Sequence, residues 1–261
     1  MRTELHFHLL PGVDDGPPDD DAAVALAKAA VNDGTSRVVV TPHIRLIDLS
    51  RLPDHVQRLR GLLERSNVPL EVVRGGEVAP DDVAQLDDDE LEVIAHGPPD
   101  RRWVLLEAPL GPCRPDLDVA RVELRQRGFQ VLIAHPERSP ELQPSQVQRQ
   151  VAEGAVLQIN ASSLLGRHGM RATAMALKLV SSGLPFVLAS DAHRLARPPL
   201  LSDGALALER AGVDAETIRF AVETGPERLL TEGLSLSEPF NPEGPDPGSS
   251  SVRVPLDRAA R

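Results

Sequence analysis

Seven short apolar runs divide this chain, and each ends in, or is followed closely by, a residue that carries chemistry. They are ELHFHLL (4–10), RVVVT (37–41), LEVVRGG (70–76), WVLLE (103–107), VLIA (131–134), AVLQI (155–159) and FVLAS (186–190). Several are β-branched and nearly continuous, the pattern of parallel strands buried on both faces. Amphipathic stretches separate them. In 19–33, Val24, Ala27 and Val31 share a face and Gly34 follows as a stop. In 116–127, Leu117, Ala120 and Leu124 repeat the pattern ahead of Gly128. Strands alternating with helices make βα units around a parallel sheet, so the class is α/β. Seven strands in about 190 residues suit a closed or nearly closed barrel. An open doubly wound sheet is the other arrangement of the same parts.

The polar residues follow the strands. His6 and His8 lie on the first run, His43 just past the second and Glu77 just past the third. Glu107 ends the fourth, His135 and Arg138 follow the fifth, Asn160 ends the sixth, and Asp191 and His193 follow the seventh. In a parallel barrel all strand C-termini open on one face, so these residues converge there. Alternate residues on a strand share a face, which puts His6 and His8 on one side, roughly 6.5 Å apart along the strand. Asp191 and His193 repeat the device. Five of the eight histidines and three carboxylates thus end apolar strands, where an unpaired charge is costly. A multinuclear metal site offsets that cost. Imidazole and carboxylate without thiolate suit Mn²⁺, Fe or Zn²⁺.

A carboxylate such as Glu77 can bridge two ions. Paired ions about 3.5–4 Å apart recur in phosphate-ester hydrolysis. Arg138 and Arg197 near the rim would add charge-assisted bonds to phosphate oxygens. Asn160 joins them as a substrate-binding candidate. In PGVDDG, Asp14 and Asp15 read either as part of a turn or as a further carboxylate ligand. His55, His96 and His168 have no partner pattern and read as surface or loop histidines. The acidic run 87–90 reads as a solvated loop or a helix start.

Composition sets outer limits. A net charge of −11 argues against general nucleic-acid binding. Aromatic residues are 2% of the chain and tyrosine is absent, so the core must be built from Leu, Val and Ala. No apolar run approaches the ~18 residues of a membrane span. Met1-Arg2-Thr3-Glu4 carries no apolar leader, and a cytoplasmic location is expected. The single Cys113 excludes an internal disulfide framework. After residue 237 the chain turns rich in Pro, Gly and Ser, so 1–237 is expected to form the domain and 238–261 a flexible tail.

HFHLLPGVDDGP, TPH, GGE, LLE, AHPER, QIN and SDAH…RPP together resemble the polymerase-and-histidinol-phosphatase (PHP) superfamily. Within it they are most similar to the bacterial capsule and exopolysaccharide tyrosine-protein phosphatases of the CpsB/YwqE type, in the right order over about residues 1–232. The resemblance implies a distorted (β/α)₇ TIM-like barrel and a metal-dependent phosphoesterase with two or three ions, often Mn²⁺. It implies a partner in trans, a phosphotyrosine-bearing kinase of polysaccharide synthesis. It assigns His6, His8, Glu77 and Asp191 to one ion and Glu77, Glu107 and His135 to a second. His43 and His193, with Asp14 or Asp15, fall to the third. Arg138 and Arg197 resemble its phosphate-binding arginines.

A small-molecule phosphatase of the same fold, such as one for histidinol phosphate, is the alternative enzyme. A regulatory module that has kept only the fold is disfavoured, because no ligand position is degraded. A cysteine-dependent tyrosine phosphatase is excluded, since six positions after Cys113 stands Val119 and not arginine. With no tyrosine, the chain is not its own phosphotyrosine substrate.

Overall fold

The apolar runs form parallel strands in a computed structural model that describes residues 2–111 and 116–243. Cys113 and residues 244–261 of the expected tail lie outside the described residues. The strands are β1 (Arg2–Phe7), β2 (Thr35–Val40), β3 (Glu71–Arg74) and β4 (Glu77–Val78). They continue with β5 (Trp103–Glu107), β6 (Gln130–Ala134), β7 (Val156–Asn160) and β8 (Phe186–Ala189). Their ladders run β1-β2-β3 and β4-β5-β6-β7-β8, parallel throughout.

One expectation changes here. The third run is not a single strand but breaks at Gly75-Gly76 into β3, which ends one ladder, and β4, which begins the other. Both glycines are there for close approach. A Cβ on Gly75 would stand 2.5 Å from Val39 Cγ1 and 2.8 Å from His96 Nε2. One on Gly76 would stand 2.9 Å from Ile44 Cγ2 and from Ile94 Cγ2.

Two bridges join the ladders into a ring. Phe7 pairs with Ala192 beyond β8, and His43 pairs with Glu77 across the break. The result is a distorted barrel of seven strand positions, and the open sheet is ruled out. Strand β1 is irregular as well. Glu4 pairs with Val38 and Phe7 with Val40, so β1 carries one residue more than β2 over that stretch. Such bulges re-aim side chains beside active sites.

Packing forms two layers. Helices cover the barrel, and the buried cluster between them and the strands includes Phe7, Val38, Val40, Leu106, Ile133 and Leu188. A smaller cluster takes Val39, Trp103, Leu105, Leu132, Val156 and Val187 with Leu229 and Leu234. By strand alternation these inner residues share their faces with Glu107, Ala134 and Gln158. The inner apolar layer therefore sits beneath the polar residues at the strand ends.

The helices start and stop as their residues dictate. Asp19 caps Asp20–Asn32 and Asp116 caps Leu117–Gln126, each side chain accepting a backbone N–H of the first turn. Past the two ends, Gly34 and Gly128 take φ of +92° and +94°, where a side chain would be strained. The first helix buries Ala23, Leu26, Ala27 and Ala30, while Val24 and Val31 of the expected face are half-buried. Its alanines let it lie close on the sheet. Asp87 and Glu90 form a reciprocal capping box on Asp88–Ile94, so the acidic run is a helix start. Among the described residues no helix is long and apolar enough to cross a membrane.

His96 departs from its expected place. It is buried, with its ring centroid 4.7 Å from that of Trp103. Burial, with Arg74 and Arg102 nearby, pushes its pKa down to about 3, so it packs as a neutral ring.

The glycine break yields a stability prediction. Gly75→Ala should cost about 1–3 kcal/mol through overpacking, lowering the thermal midpoint by roughly 2–12 °C. An unchanged midpoint in differential scanning calorimetry would show that the strand break does not depend on this close approach.

Candidate metal centre

Glu77, the first residue of β4, is 2% exposed and faces four imidazoles. Its Oε2 lies 3.3 Å from His6 Nε2, 3.4 Å from His8 Nε2 and 3.1 Å from His43 Nδ1. Its Oε1 lies 3.2 Å from His135 Nε2. The histidines come from three separate stretches of the chain, the end of β1, the turn after β2 and the turn after β6, and the closed barrel brings them together. Asp191 Oδ1 completes the other side, 3.4 Å from His6 Nε2 and 3.7 Å from His8 Nε2.

Outer residues orient the rings. His6 Nδ1 is 2.9 Å from Gln158 Oε1, and His8 Nδ1 is 2.6 Å from Asp14 Oδ2. Both partners are acceptors, so the proton of each neutral ring belongs on Nδ1 and each Nε2 presents a lone pair. The two Nε2 atoms are 3.2 Å apart. Lone pairs that close repel unless a cation stands beside them. Without a metal ion the pKa directions bring in protons instead. Burial pulls His8 down, but hydrogen bonds and charge from Asp14 and Glu77 outweigh it and push it up to about 10. Burial would raise Glu77, yet His6, His135 and His43 hold it well below the usual carboxylate range. Glu107 goes the other way, raised to about 7 by burial and by the charge of Glu77.

Four groups place ligand atoms close enough to share an ion: His6, His8 and Asp191; His6, Glu77 and His135; His43, Glu77 and Glu107; and His8, Asp15, His43 and His193. Imidazoles and carboxylates without sulfur fit a hard or borderline divalent ion. Two details differ from the expected grouping. Glu107 lies with His43 and Glu77 and is not grouped with His135; Arg45 Nη2 donates to Glu107 Oε2 at 3.2 Å on that side. Of the two adjacent aspartates, Asp15 joins a group, with Oδ1 3.2 Å from His193 Nε2 and 3.6 Å from His43 Nε2. Asp14 belongs to none and instead holds His8 and accepts the Gly16 N–H at 2.9 Å.

Two of the converging residues hold unusual backbone. His135 has φ of +37° and Asp191 φ of +51°. Such left-handed residues cost roughly 1–2 kcal/mol each and persist only where their surroundings demand them.

Asp191 Oδ2 gathers the rim. It accepts Arg138 Nη1 at 2.7 Å, Arg197 Nη2 at 2.9 Å and Asn160 Nδ2 at 3.0 Å. Both arginines line a cavity of about 360 Å³ that opens beside Asp191. Asn160, the expected substrate contact, lines the same cavity; it is buried, its Nδ2 holds Asp191 and its Oδ1 accepts the Ser162 N–H at 3.0 Å. His168, expected at the surface, lines the same cavity. Residue patterns had not marked Gln158, Arg45, Ser163 or Glu137. Gln158 was findable, because it shares a strand face with Asn160 inside the otherwise apolar AVLQIN.

Known proteins resemble this chain over most of its length. Residues 2–230 match the family described as "Capsular polysaccharide synthesis, CpsB/CapC". The chain is 29% identical to tyrosine-protein phosphatase YwqE of Bacillus subtilis over 198 residues, 74% of this chain and 77% of that protein. It is 29% identical to the putative tyrosine-protein phosphatase CapC of Staphylococcus aureus over 207 residues, 76% and 80% of the two chains. A crystal structure from work on YwqE and Streptococcus pneumoniae CpsB, described there as unique metal-dependent tyrosine phosphatases, superposes with TM-score 0.74. That match has 26% identity and covers 92% of this chain and 99% of the other. The phosphotriesterase homology protein of Escherichia coli shares the fold at TM-score 0.63 and 12% identity, over 87% of this chain and 97% of that one.

The two aspartates separate by experiment. Asp15→Asn should lower the number of Mn²⁺ ions bound at saturation by about one. Asp14→Asn should leave that number unchanged and weaken affinity about 10–100-fold, the cost of losing a partner behind a ligand. Titration calorimetry and elemental analysis would reveal the opposite pattern if Asp14 were the ligand.

Proposed function

This chain belongs to the CpsB/CapC family, and from that premise we propose that it is a metal-dependent phosphotyrosine-protein phosphatase. The observation that carries this reading is the single buried carboxylate of Glu77 ringed by four histidines, with two arginines on Asp191 at the adjoining cavity. His6, His8, His43, Glu77, Glu107, His135, Asp191 and His193, with Asp15, would hold two or three ions, Mn²⁺ being the one we assign. Bound ions supply Lewis acidity and lower the pKa of water for hydrolysis of a phosphate ester.

The chain's own residues then have separate tasks. Arg138 gives one N–H to Asp191, and Arg197 gives its Nη2 to Asp191 with its Nη1 3.9 Å from Asp15 Oδ2; each keeps further N–H groups for phosphate oxygens. Asn160 fixes the Asp191 carboxylate, and Gln158 and Asp14 fix the His6 and His8 rings. The cavity offers no strong general acid. Burial and the neighbouring Arg138 and Arg197 push His168 down to about 4, so it is neutral at pH 7. A site without such an acid favours a good leaving group. Phenolate, whose conjugate acid has pKa ~10, departs more easily than an alkoxide. This supports phosphotyrosine over phosphoserine or histidinol phosphate. The absence of tyrosine in the chain makes the substrate a protein in trans, and we assign it to a tyrosine kinase of polysaccharide synthesis in the cytoplasm.

Chelation should abolish turnover of a phosphotyrosine peptide, and Mn²⁺ should restore it. On kcat/KM the peptide should exceed both a phosphoserine peptide and histidinol phosphate by about tenfold or more, equivalent to about 1.4 kcal/mol at the transition state. A tenfold advantage for histidinol phosphate would replace this reading with the small-molecule one. Arg138→Ala should slow turnover of aryl and alkyl phosphates alike by about 10²-fold while metal content stays the same. Loss of metal in that variant would show that Arg138 serves the centre and not the phosphate.

A further inference from the structure

The cavity beside Asp191 has a wall that phosphate binding leaves unused. Arg138 and Arg197 are tied to Asp191, but a third arginine, the exposed Arg167, also lines the space. Among the described residues the Arg167 side chain makes no ion pair and no hydrogen bond; only its backbone N–H is engaged, on Ser162 O at 3.0 Å.

The segment that carries it, Gly166-Arg167-His168-Gly169, is built to present it. Gly166 and Gly169 take φ of +78° and +83°, and an added Cβ at either would meet nothing within 4 Å. These glycines therefore serve the bend of the backbone and not a close contact. The segment is also tethered. Ser163 Oγ lies 3.0 Å from His168 Nδ1 and 2.7 Å from the buried Glu137 Oε1, and Thr173 Oγ1 donates to Ser163 O at 2.8 Å. Arg167 thus stands on a braced turn beside the phosphate-binding arginines.

A volume of about 360 Å³ exceeds what one phosphate fills and lies in the range of pockets for larger ligands. Its lining includes no Phe or Trp, so charge and not stacking must supply selectivity. One unpaired guanidinium matches one carboxylate, which it can hold with two parallel N–H donors.

We propose that Arg167 is a specificity-determining residue that reads an acidic side chain adjacent to the phosphotyrosine of the substrate. This rests on the phosphotyrosine-phosphatase reading above. Arg167 adds binding to the peptide around the scissile group and leaves the phosphate to Arg138 and Arg197.

The test uses the Mn²⁺-loaded full chain and three phosphotyrosine peptides that differ only in their flanking residues: Glu, Gln or Lys. The wild-type protein should favour the Glu peptide over the Gln peptide about tenfold in kcat/KM, chiefly through KM. Arg167→Gln should erase that preference, and Arg167→Glu should reverse it in favour of the Lys peptide. Equal kcat/KM for the three peptides in wild type would overturn the inference alone, as would a Glu preference that survives Arg167→Gln. Turnover of p-nitrophenyl phosphate with none of the peptides would overturn the phosphotyrosine reading and this inference with it.

Discussion

A buried carboxylate surrounded by imidazoles is the constraint on which the rest of this structure depends. Glu77 has four histidine nitrogens within 3.4 Å and almost no contact with solvent. Such a cluster is costly in an apolar barrel unless positive charge enters it, as protons or as metal ions. With no ion bound, Glu77 and its fellow carboxylates raise the pKa of His6 and His8 against the cost of burial, which would draw protons into that role. Divalent ions would displace them and satisfy more of the lone pairs. The same need explains why two converging residues accept left-handed backbone, His135 after β6 and Asp191 after β8.

The barrel is bent to serve that carboxylate. The third strand breaks at Gly75-Gly76 so that Glu77 can pair with His43 and still stand beside β5. The extra residue in β1 lies where His6 is re-aimed. Behind the converging residues stands a layer of neutral and charged partners: Gln158 on His6, Asp14 on His8, Arg45 on Glu107 and Asn160 on Asp191. Glu4 belongs to this layer too. It is buried inside β1, its pKa raised to about 7 by desolvation, and it accepts the Ser190 N–H at 2.6 Å next to Asp191. Rigid orientation of first ligands by such partners is what lets a metal centre hold its geometry.

Much of this was legible in the sequence because strand ends are. A histidine or carboxylate directly after a buried parallel strand has one place to go, the C-terminal mouth of the barrel, and HFH, GGE and SDAH could be read that way one by one. What stayed hidden depended on three-dimensional detail. Asp14 and Asp15 are neighbours in a turn, and only the fold aims one at His8 and the other at His193. Asn160 ends a strand like the others, and only the fold shows that its amide also braces Asp191 and Ser162. His96 and His168 carry no local pattern. One packs on Trp103, with which it pairs at the start of β5, and the other lines the cavity from a turn flanked by two glycines of positive φ. Gly75-Gly76 looked like the end of a strand and is a break within one.

Glu77 belongs to two of the ligand groups, so bound ions would depend on it more than on any other carboxylate. The most direct measurement is metal content by elemental mass spectrometry, in wild-type protein and in Glu77→Gln purified and loaded with Mn²⁺ in the same way. The substitution keeps the shape of the side chain and removes its charge. Two or three ions per wild-type chain, and a loss of about two in a Glu77→Gln protein whose circular dichroism is unchanged, is the predicted result. Equal metal content in the two proteins would contradict it.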